Sequence, residues 1–416
     1  MRFIFLLHDD LRVKLYARLK EKAHEYGIKS QFLCFSIACY KSLIRLGFKK
    51  DSLLVYDDLR FLNIISNKEL SNSIDVIASF LTVSSAQKVA SSTYAALIEQ
   101  TAKGSTEEVV IFGGNGLHVF DKVAKFYASQ YQQVYTVFTE LANIEGKVFF
   151  DPEGSNASSL FYELLKNNKI DFSQAKNVEG FDKWREEYCY EKLKDHTVPQ
   201  VKSFSHKKNI IHRIYGACEL LTKVSSYQKL KLLDVLSNKN KIVKKIDKSA
   251  WLPWLEKEIK CKDYIFFPLQ VFSDSQVKLH SHVDVKQALI KAMQIAKEDG
   301  IPLLVKPHPA EFDSKVIDII IGLKKEQNFL LSDDNTFKLI KNSQKVIVIN
   351  STVGLEAILL GKHVEFLGLS FYKYLQDDYK MNYYINHWLI DIDIFSPSPL
   401  KNEVFDKIVS IAKMKK

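Results

Sequence analysis

At 416 residues with 46% hydrophobic side chains, the chain is long enough for two core-forming domains. Its formal charge of +10 comes from 59 Lys and Arg scattered among 49 Asp and Glu. There is no arginine-rich tract, RNA-binding aromatic signature or zinc-finger spacing, which argues against nucleic acid and leaves acidic sugars or an anionic membrane surface as partners. No uncharged apolar run reaches the ~20 residues that a transmembrane helix requires.

In chain order, Phe3 to Leu7 is apolar and meets His8, Asp9 and Asp10 at once, so it reads as a first strand rather than a signal-peptide core. Phe32 to Ser36, Ser52 to Tyr56, Val109 to Phe112 and Val134 to Phe138 read as further strands. Arg12 to Tyr26, Glu69 to Leu81 and Leu117 to Tyr131 carry the helical period. That alternation predicts a parallel βα domain over 1–205. Gly113, Gly114 and Gly116 break the chain after a strand without the GxGxxG spacing of a dinucleotide site.

Residues 206–248 read as a basic helical linker, with Ile210, Ile211, Ile214, Leu220, Leu221 and Val224 at near-helical spacing and Lys229, Lys231, Lys239, Lys241, Lys244 and Lys245 beside them. A helix joining two domains with a solvated lysine face is favoured over a membrane-docking helix. The second domain, 249–416, alternates strands (Tyr264 to Val271, Ile301 to Val305, Phe329 to Leu331, Lys345 to Ile349, Val364 to Leu367) with helices (Val285 to Glu298, Ser314 to Lys325, Phe337 to Asn342, Leu355 to Leu360). The expected class is α/β, with two doubly wound, Rossmann-like domains facing across a cleft in the GT-B manner. Cys34, Cys39, Cys189, Cys218 and Cys261 form no CxxC pair and read as reduced cytosolic thiols, mostly in the core.

Two segments concentrate the chemistry. Lys306-Pro307-His308-Pro309 and Asn350-Ser351-Thr352-Val353-Gly354-Leu355-Glu356 each follow a strand, where ligand loops lie in a parallel sheet. Lys306 and His308 offer cationic or N–H contacts, Ser351 and Thr352 offer hydroxyls, and the following helix start offers amides at its positive end, which together predict a phosphate site. Gly354 would allow close backbone approach and Glu356 would accept from ribose hydroxyls. Taken singly, each segment is equally a strand end or a helix cap; side by side they favour phosphate.

The same segments resemble bacterial glycosyltransferases that use CMP-activated acidic sugars, through a His-Pro motif and a Ser/Thr motif in this order. Gln270-Val271-Phe272-Ser273-Asp274 resembles the Gln-x-x-x-Asp block of the capsular-polysaccharide biosynthesis family of retaining β-Kdo transferases. Asn115-Gly116, Glu140-Leu141-Ala142-Asn143 and Asp151-Pro152-Glu153-Gly154-Ser155-Asn156 resemble its N-terminal blocks. The resemblance spans Asn115 to Gly361 and implies a GT-B enzyme that transfers Kdo from CMP-Kdo to a lipid-linked or glycan acceptor. The second domain would bind the CMP-sugar and the first the acceptor.

In that frame Asp274 is the candidate nucleophile, Gln270 a substrate-binding residue of the same block, and His308 a catalytic contact to the phosphate. Glu140 is the candidate base, and Asn115, Asn143 and Asn156 are partners for sugar hydroxyls. Asp274 is alternatively a turn cap. No cofactor or metal is expected, since the leaving group carries a single phosphate. His280 and His282 read as polar loop residues. The expected location is cytoplasmic and peripheral at the inner membrane. A transferase for another CMP-ulosonic acid of sialyltransferase type, or a non-catalytic glycan- or lipid-binding scaffold, are the alternatives.

Overall fold

A computed structural model describes residues 1–101, 106–194, 214–215, 218–225, 229–230, 232–234, 248–256, 258–259, 263–272, 274–311 and 313–414. The chain divides into two units: unit 1 comprises 1–163, 199–239 and 388–416, and unit 2 comprises 164–198 and 240–387. Each is α/β with a largely parallel sheet, as the alternating periods predict. No helix among the described residues is long and apolar enough to cross a membrane.

Unit 1 carries β1 (Arg2–Leu7), β2 (Lys29–Cys34), β3 (Ser52–Leu54), β4 (Val109–Gly113), β5 (Val134–Leu141), β6 (Lys147–Asp151) and β12 (Ile390–Asp391), in the order β12-β6-β5-β4-β1-β2-β3. β1 to β5 pair in parallel, while β6 runs antiparallel to β5 and β12 antiparallel to β6. The central strands are hydrophobic on both faces because helices cover both. Phe3 and Phe5 point to one side, toward Leu15, Leu19 and Phe405; Ile4 and Leu6 point to the other, toward Val89, Phe120 and Val123.

Unit 2 carries β7 (Ile265–Pro268), β8 (Leu303–Lys306), β9 (Leu330–Leu331), β10 (Lys345–Val348) and β11 (His363–Phe366), in the order β11-β10-β7-β8-β9, with every pairing parallel. Its predicted strands and helices lie within a few residues of the observed ones. One core packs Ile265, Phe267, Val305 and Ile347 against helices Val285–Asp299 and Ser314–Glu326.

The chain path departs from the boundaries read from the sequence. Residues 388–416, expected in the second domain, return to unit 1, where helix Asn402–Ala412 buries Phe405, Ile408 and Ile411 against the β1 face. Residues 164–198, expected in the first domain, belong to unit 2. The boundary between the units falls within 206–248, after residue 239; in the unit 1 part Glu219 accepts from the Ile37 amide (2.6 Å) and Asp234 from the Thr82 amide (2.7 Å). Lys229, read as solvated, is buried and donates to Asp57 (2.7 Å) and the Val224 carbonyl (2.9 Å). Lys231, Lys239, Lys241, Lys244 and Lys245 lie outside the described residues, as do Cys261 and Ser273. Cys34 and Cys39 are core, whereas Cys218 is exposed. The helix predicted over Glu69 to Leu81 is two short pieces, Asn67–Ser71 and Ile74–Ile77, because Ser73 caps the second and interrupts the first.

One buried carboxylate organises the turn after β6. Asp151 Oδ1 accepts from the amides of Glu153 (2.8 Å), Gly154 (3.0 Å) and Leu160 (2.9 Å), and Oδ2 from that of Phe161 (3.0 Å). Burial pushes its carboxyl up to about 6 against those four donors. Asp151→Asn would turn an NH2 toward one of these amides. It is expected to lower stability by about 1–3 kcal/mol in urea unfolding, because a buried amide loses its acceptor.

Candidate functional site

In unit 2 the chain runs from β7 to β8 and β9 on one side, then returns to β10 on the other. The strand order therefore reverses between β7 and β10, and ligand loops of open α/β sheets lie at the strands' carboxyl ends beside such a reversal. The Gln270–Asp274 segment follows β7, Asn350–Glu356 follows β10, and Lys306–Pro309 follows β8, the other neighbour of β7.

Gln270, buried with 7% exposure, joins two of these loops. Its Oε1 accepts from the Asn350 amide (3.1 Å), and its Nε2 donates to Asn350 Oδ1 (3.0 Å) and to Asp274 Oδ2 (3.3 Å). Asn350 Nδ2 in turn donates to the Gln276 carbonyl (2.9 Å). Asp274 Oδ1 accepts from the Gln276 amide (2.9 Å), so Asp274 is also the N-cap of helix Ser275–His280. His280, expected in a loop, ends that helix, and its carbonyl accepts from the Leu369 amide (2.7 Å).

The third loop is tied in by Glu311, which the sequence reading passed over. Its Oε2 accepts from the Phe272 amide (2.8 Å), its Oε1 from the Asp313 amide (3.0 Å), and its own amide donates to the His308 carbonyl (3.0 Å). His308 Nδ1 accepts from the Ala310 amide (3.1 Å), which leaves Nε2 as the protonated nitrogen of the neutral ring. Burial lowers the His308 pKa, against the raising influence of Asp274 and Glu311. A neutral imidazole with an Nε2–H donor results.

Lys306 Nζ donates to the Asp334 carbonyl (2.6 Å) and Thr336 Oγ1 (2.8 Å); burial lowers its pKa while Asp333, Asp334 and Glu356 oppose. Glu356 is half-buried, and burial pushes it up to about 7 although Lys192 and Lys306 pull it down. Lys192 and Tyr188 come from helix Glu179–Lys194, whose Cys189 Sγ lies 3.6 Å from the Leu359 carbonyl. No local motif announced them, because their place depends on how a distant helix packs.

Two sequence readings change at the second motif. Ser351 Oγ accepts from the Val353 amide (3.2 Å), and helix Val353–Leu359 has only seven residues, which limits its dipole. Gly354 is required by packing: an added Cβ would lie 2.7 Å from Phe366 Cζ on β11.

The remaining predicted residues lie in unit 1. Glu140 sits near the end of β5, its Oε1 accepting from the Leu141 amide (3.1 Å), and Asn115 Oδ1 accepts from the Leu117 amide (3.1 Å). Asn143 is half-buried beyond β5. Asn156 stands at φ 49°, a backbone shape that asparagine tolerates, in the loop that Asp151 organises. The glycine turn does not offer its amides to a ligand. Those of Gly114 and Gly116 donate to Asp121 (2.7 and 2.9 Å), and a Cβ on Gly116 would meet Gly154 Cα at 2.6 Å.

The family described as capsule polysaccharide biosynthesis protein matches residues 191–381, a span that holds the Gln-x-x-x-Asp, His-Pro and Ser-Thr segments. That match covers less than half of the chain and falls on the segments that carry the resemblance noted above. Protein FixF of Sinorhizobium fredii is 37% identical over 120 residues, which is 27% of this chain and 28% of FixF. The chain thus aligns with little more than a quarter of that relative's length. Among solved structures, Thermosulfurimonas dismutans KpsC, beta Kdo 2,7 transferase, is 14% identical with a TM-score of 0.44 over 100% of both chains. KpsC, beta Kdo 2,4 transferase, of the same organism is 14% identical with a TM-score of 0.40, over 73% of this chain and 87% of the other.

The raised Glu356 pKa has a consequence for stability. A carboxyl raised in the fold contributes stability that is complete below its ordinary value of 4.5 and is lost as pH rises through about 7. Glu356→Gln is therefore expected to gain stability relative to the parent as pH rises across that window, by about 1–3 kcal/mol at most, read by urea unfolding at several pH values.

Proposed function

We propose that this chain is a retaining β-Kdo transferase that takes Kdo from CMP-Kdo and delivers it to a lipid-linked or glycan acceptor during surface-polysaccharide assembly. The observation that carries the proposal is the Gln270 hydrogen-bond set, which makes the Gln-x-x-x-Asp and Asn-Ser-Thr segments, 80 residues apart, one polar cluster at the unit 2 switch point. The capsule-biosynthesis match over the same segments supports it.

In the proposed reaction the CMP phosphate lies against Lys306, His308, Ser351 and Thr352. Lys306 supplies positive charge and His308 an Nε2–H, so the charge that develops on the departing phosphate meets donors already in place. Asp274 attacks the anomeric carbon, the carbon–oxygen bond to the phosphate breaks, and CMP leaves with the bonding electron pair. A glycosyl ester on Asp274 remains. An acceptor hydroxyl then displaces Asp274, and its proton passes to a base. Two inversions give net retention.

His308→Ala and Ser351→Ala are each expected to weaken CMP binding roughly tenfold, as loss of a hydrogen bond to a charged group of about 1.5–3 kcal/mol implies. Calorimetry on the full chain reads this, and unchanged affinity in both variants would remove the phosphate assignment.

Asp274→Asn is expected to abolish transfer while CMP affinity stays nearly intact, because the amide keeps one acceptor for the Gln276 amide and lies on a loop separate from Lys306 and Ser351. Mass spectrometry of the parent protein mixed with CMP-Kdo, without acceptor, should show one added sugar on the peptide that contains Asp274. An adduct on another carboxylate would reassign the nucleophile; a product of inverted configuration would reject the double displacement.

A further inference from the structure

The strand order of unit 1 also reverses, between β1 and β4, and a second polar cluster fills that point. His118 Nδ1 lies 2.8 Å from Asp75 Oδ1, and Asp75 Oδ2 accepts from the Val119 amide (2.7 Å). Asp75 has no exposed surface, whereas the His118 side chain keeps 19%. With Nδ1 directed at a carboxylate, the ring's other edge, Nε2, is left for a ligand. The His8 ring packs beside it, with centroids 4.6 Å apart, and stacks on Phe120 at 4.9 Å.

The neighbouring charges are largely spent within the fold. Asp9 Oδ2 accepts from Arg12 Nη1 (2.8 Å) and lies 3.3 Å from His8 Nε2. Arg12 also donates through Nε to Thr139 Oγ1 and through Nη2 to the Thr139 carbonyl, both at 2.9 Å. Asp121 accepts from the amides of Gly114, Gly116 and His118. On β5, next to β4, stands half-buried Glu140, and after β4 comes Asn115, whose Oδ1 is engaged so that its Nδ2 donors remain for a partner.

We propose that unit 1 binds an acidic sugar at this switch point, with His118 Nε2 pairing with the sugar's carboxylate and with Asn115 and Glu140 taking its hydroxyls. A cationic ring next to one amide and one carboxylate matches a ligand that is both anionic and polyhydroxylated. The charge on His118 is held by Asp75 and Asp121, which raise its pKa to about 9 against burial and against Arg12; the His8 pKa is lowered by burial, so that ring stays neutral beside it. The proposal takes the role of Asn115 and Glu140 from the acceptor-side reading of unit 1. His118, Asp75 and His8 were assigned by neither the sequence nor the donor chemistry.

The test is an NMR titration of the full chain, labelled in its histidine rings, with glucuronate as the probe and glucose and inorganic phosphate as comparators. Glucuronate should shift the His118 resonance saturably, glucose should bind about tenfold or more weakly, and glucuronate affinity should fall as pH rises through about 9. His118→Gln keeps a donor for Asp75 and should lose the binding, with a lower melting temperature because the buried Asp75 carboxylate loses its cationic partner. Should that variant fail to fold, Asn115→Ala and Glu140→Gln, both on half-buried side chains, should each weaken glucuronate while leaving the fold intact. Absence of a saturable shift at His118 in the parent protein overturns the site, and phosphate binding in preference to glucuronate overturns the sugar. Neither result bears on CMP binding in unit 2, so this proposal and the donor reading fail separately.

Discussion

Each unit of this protein depends on one topological constraint: the chain leaves its first strand in one direction and later returns to that strand's other side. Loops at such a reversal diverge, and backbone amides and carbonyls at the strand ends have no ladder partner there. In unit 2 the gap is closed by Gln270, which uses its carbonyl and its NH2 to join the ends of β7 and β10. In unit 1 Asp121 plays the corresponding part, accepting from three amides of the turn after β4. A polar side chain at each reversal thus stands in for the missing strand.

These organisers separate structural polarity from chemical polarity. Glu311, Asp121 and Asp151 direct their carboxylate oxygens at backbone amides, and such groups hold loops rather than ligands. Lys306, His308 and Glu356 differ, because burial shifts all three away from their charged forms. The proposed phosphate would relieve such a cluster: the anion would restore the favourable ionisation of Lys306, while protonated Glu356 would not repel it. That energetic poise is a mark of binding sites as well as of ion-pair networks, and its place at a switch point favours the first.

The strands of unit 2 and the loops that follow β8 and β10 were legible in the sequence because they are local: short apolar runs such as Lys345 to Ile349 end in residues that cannot continue a strand. What the sequence did not disclose depends on distant contacts. Helix Val83–Gln100 is rich in serine and alanine, and its Ser91 and Ser92 are buried by hydrogen bonding to the 58–61 loop, so its apolar stripe is faint. Helix Asn402–Ala412 is plainly amphipathic, yet nothing local tells that Phe405 packs on Phe3 (5.9 Å between ring centroids) instead of on the nearer strands of unit 2. Gly354 carried a motif-like signal for a reason the motif does not state, the approach of Phe366.

The structural role of Asp274 is compatible with the catalytic role proposed for it. Its Oδ1 caps a helix and its Oδ2 meets Gln270 Nε2, so both oxygens are engaged and the side chain is held in one rotamer. For a general surface carboxylate that would be the end of its usefulness. For a nucleophile it is an advantage: rotamer entropy has been lost on folding rather than in the reaction, and the remaining lone pairs of each oxygen keep a fixed direction. In the proposed double displacement its two hydrogen bonds would also stabilise the carboxylate as a leaving group, which the second half needs as much as nucleophilicity in the first.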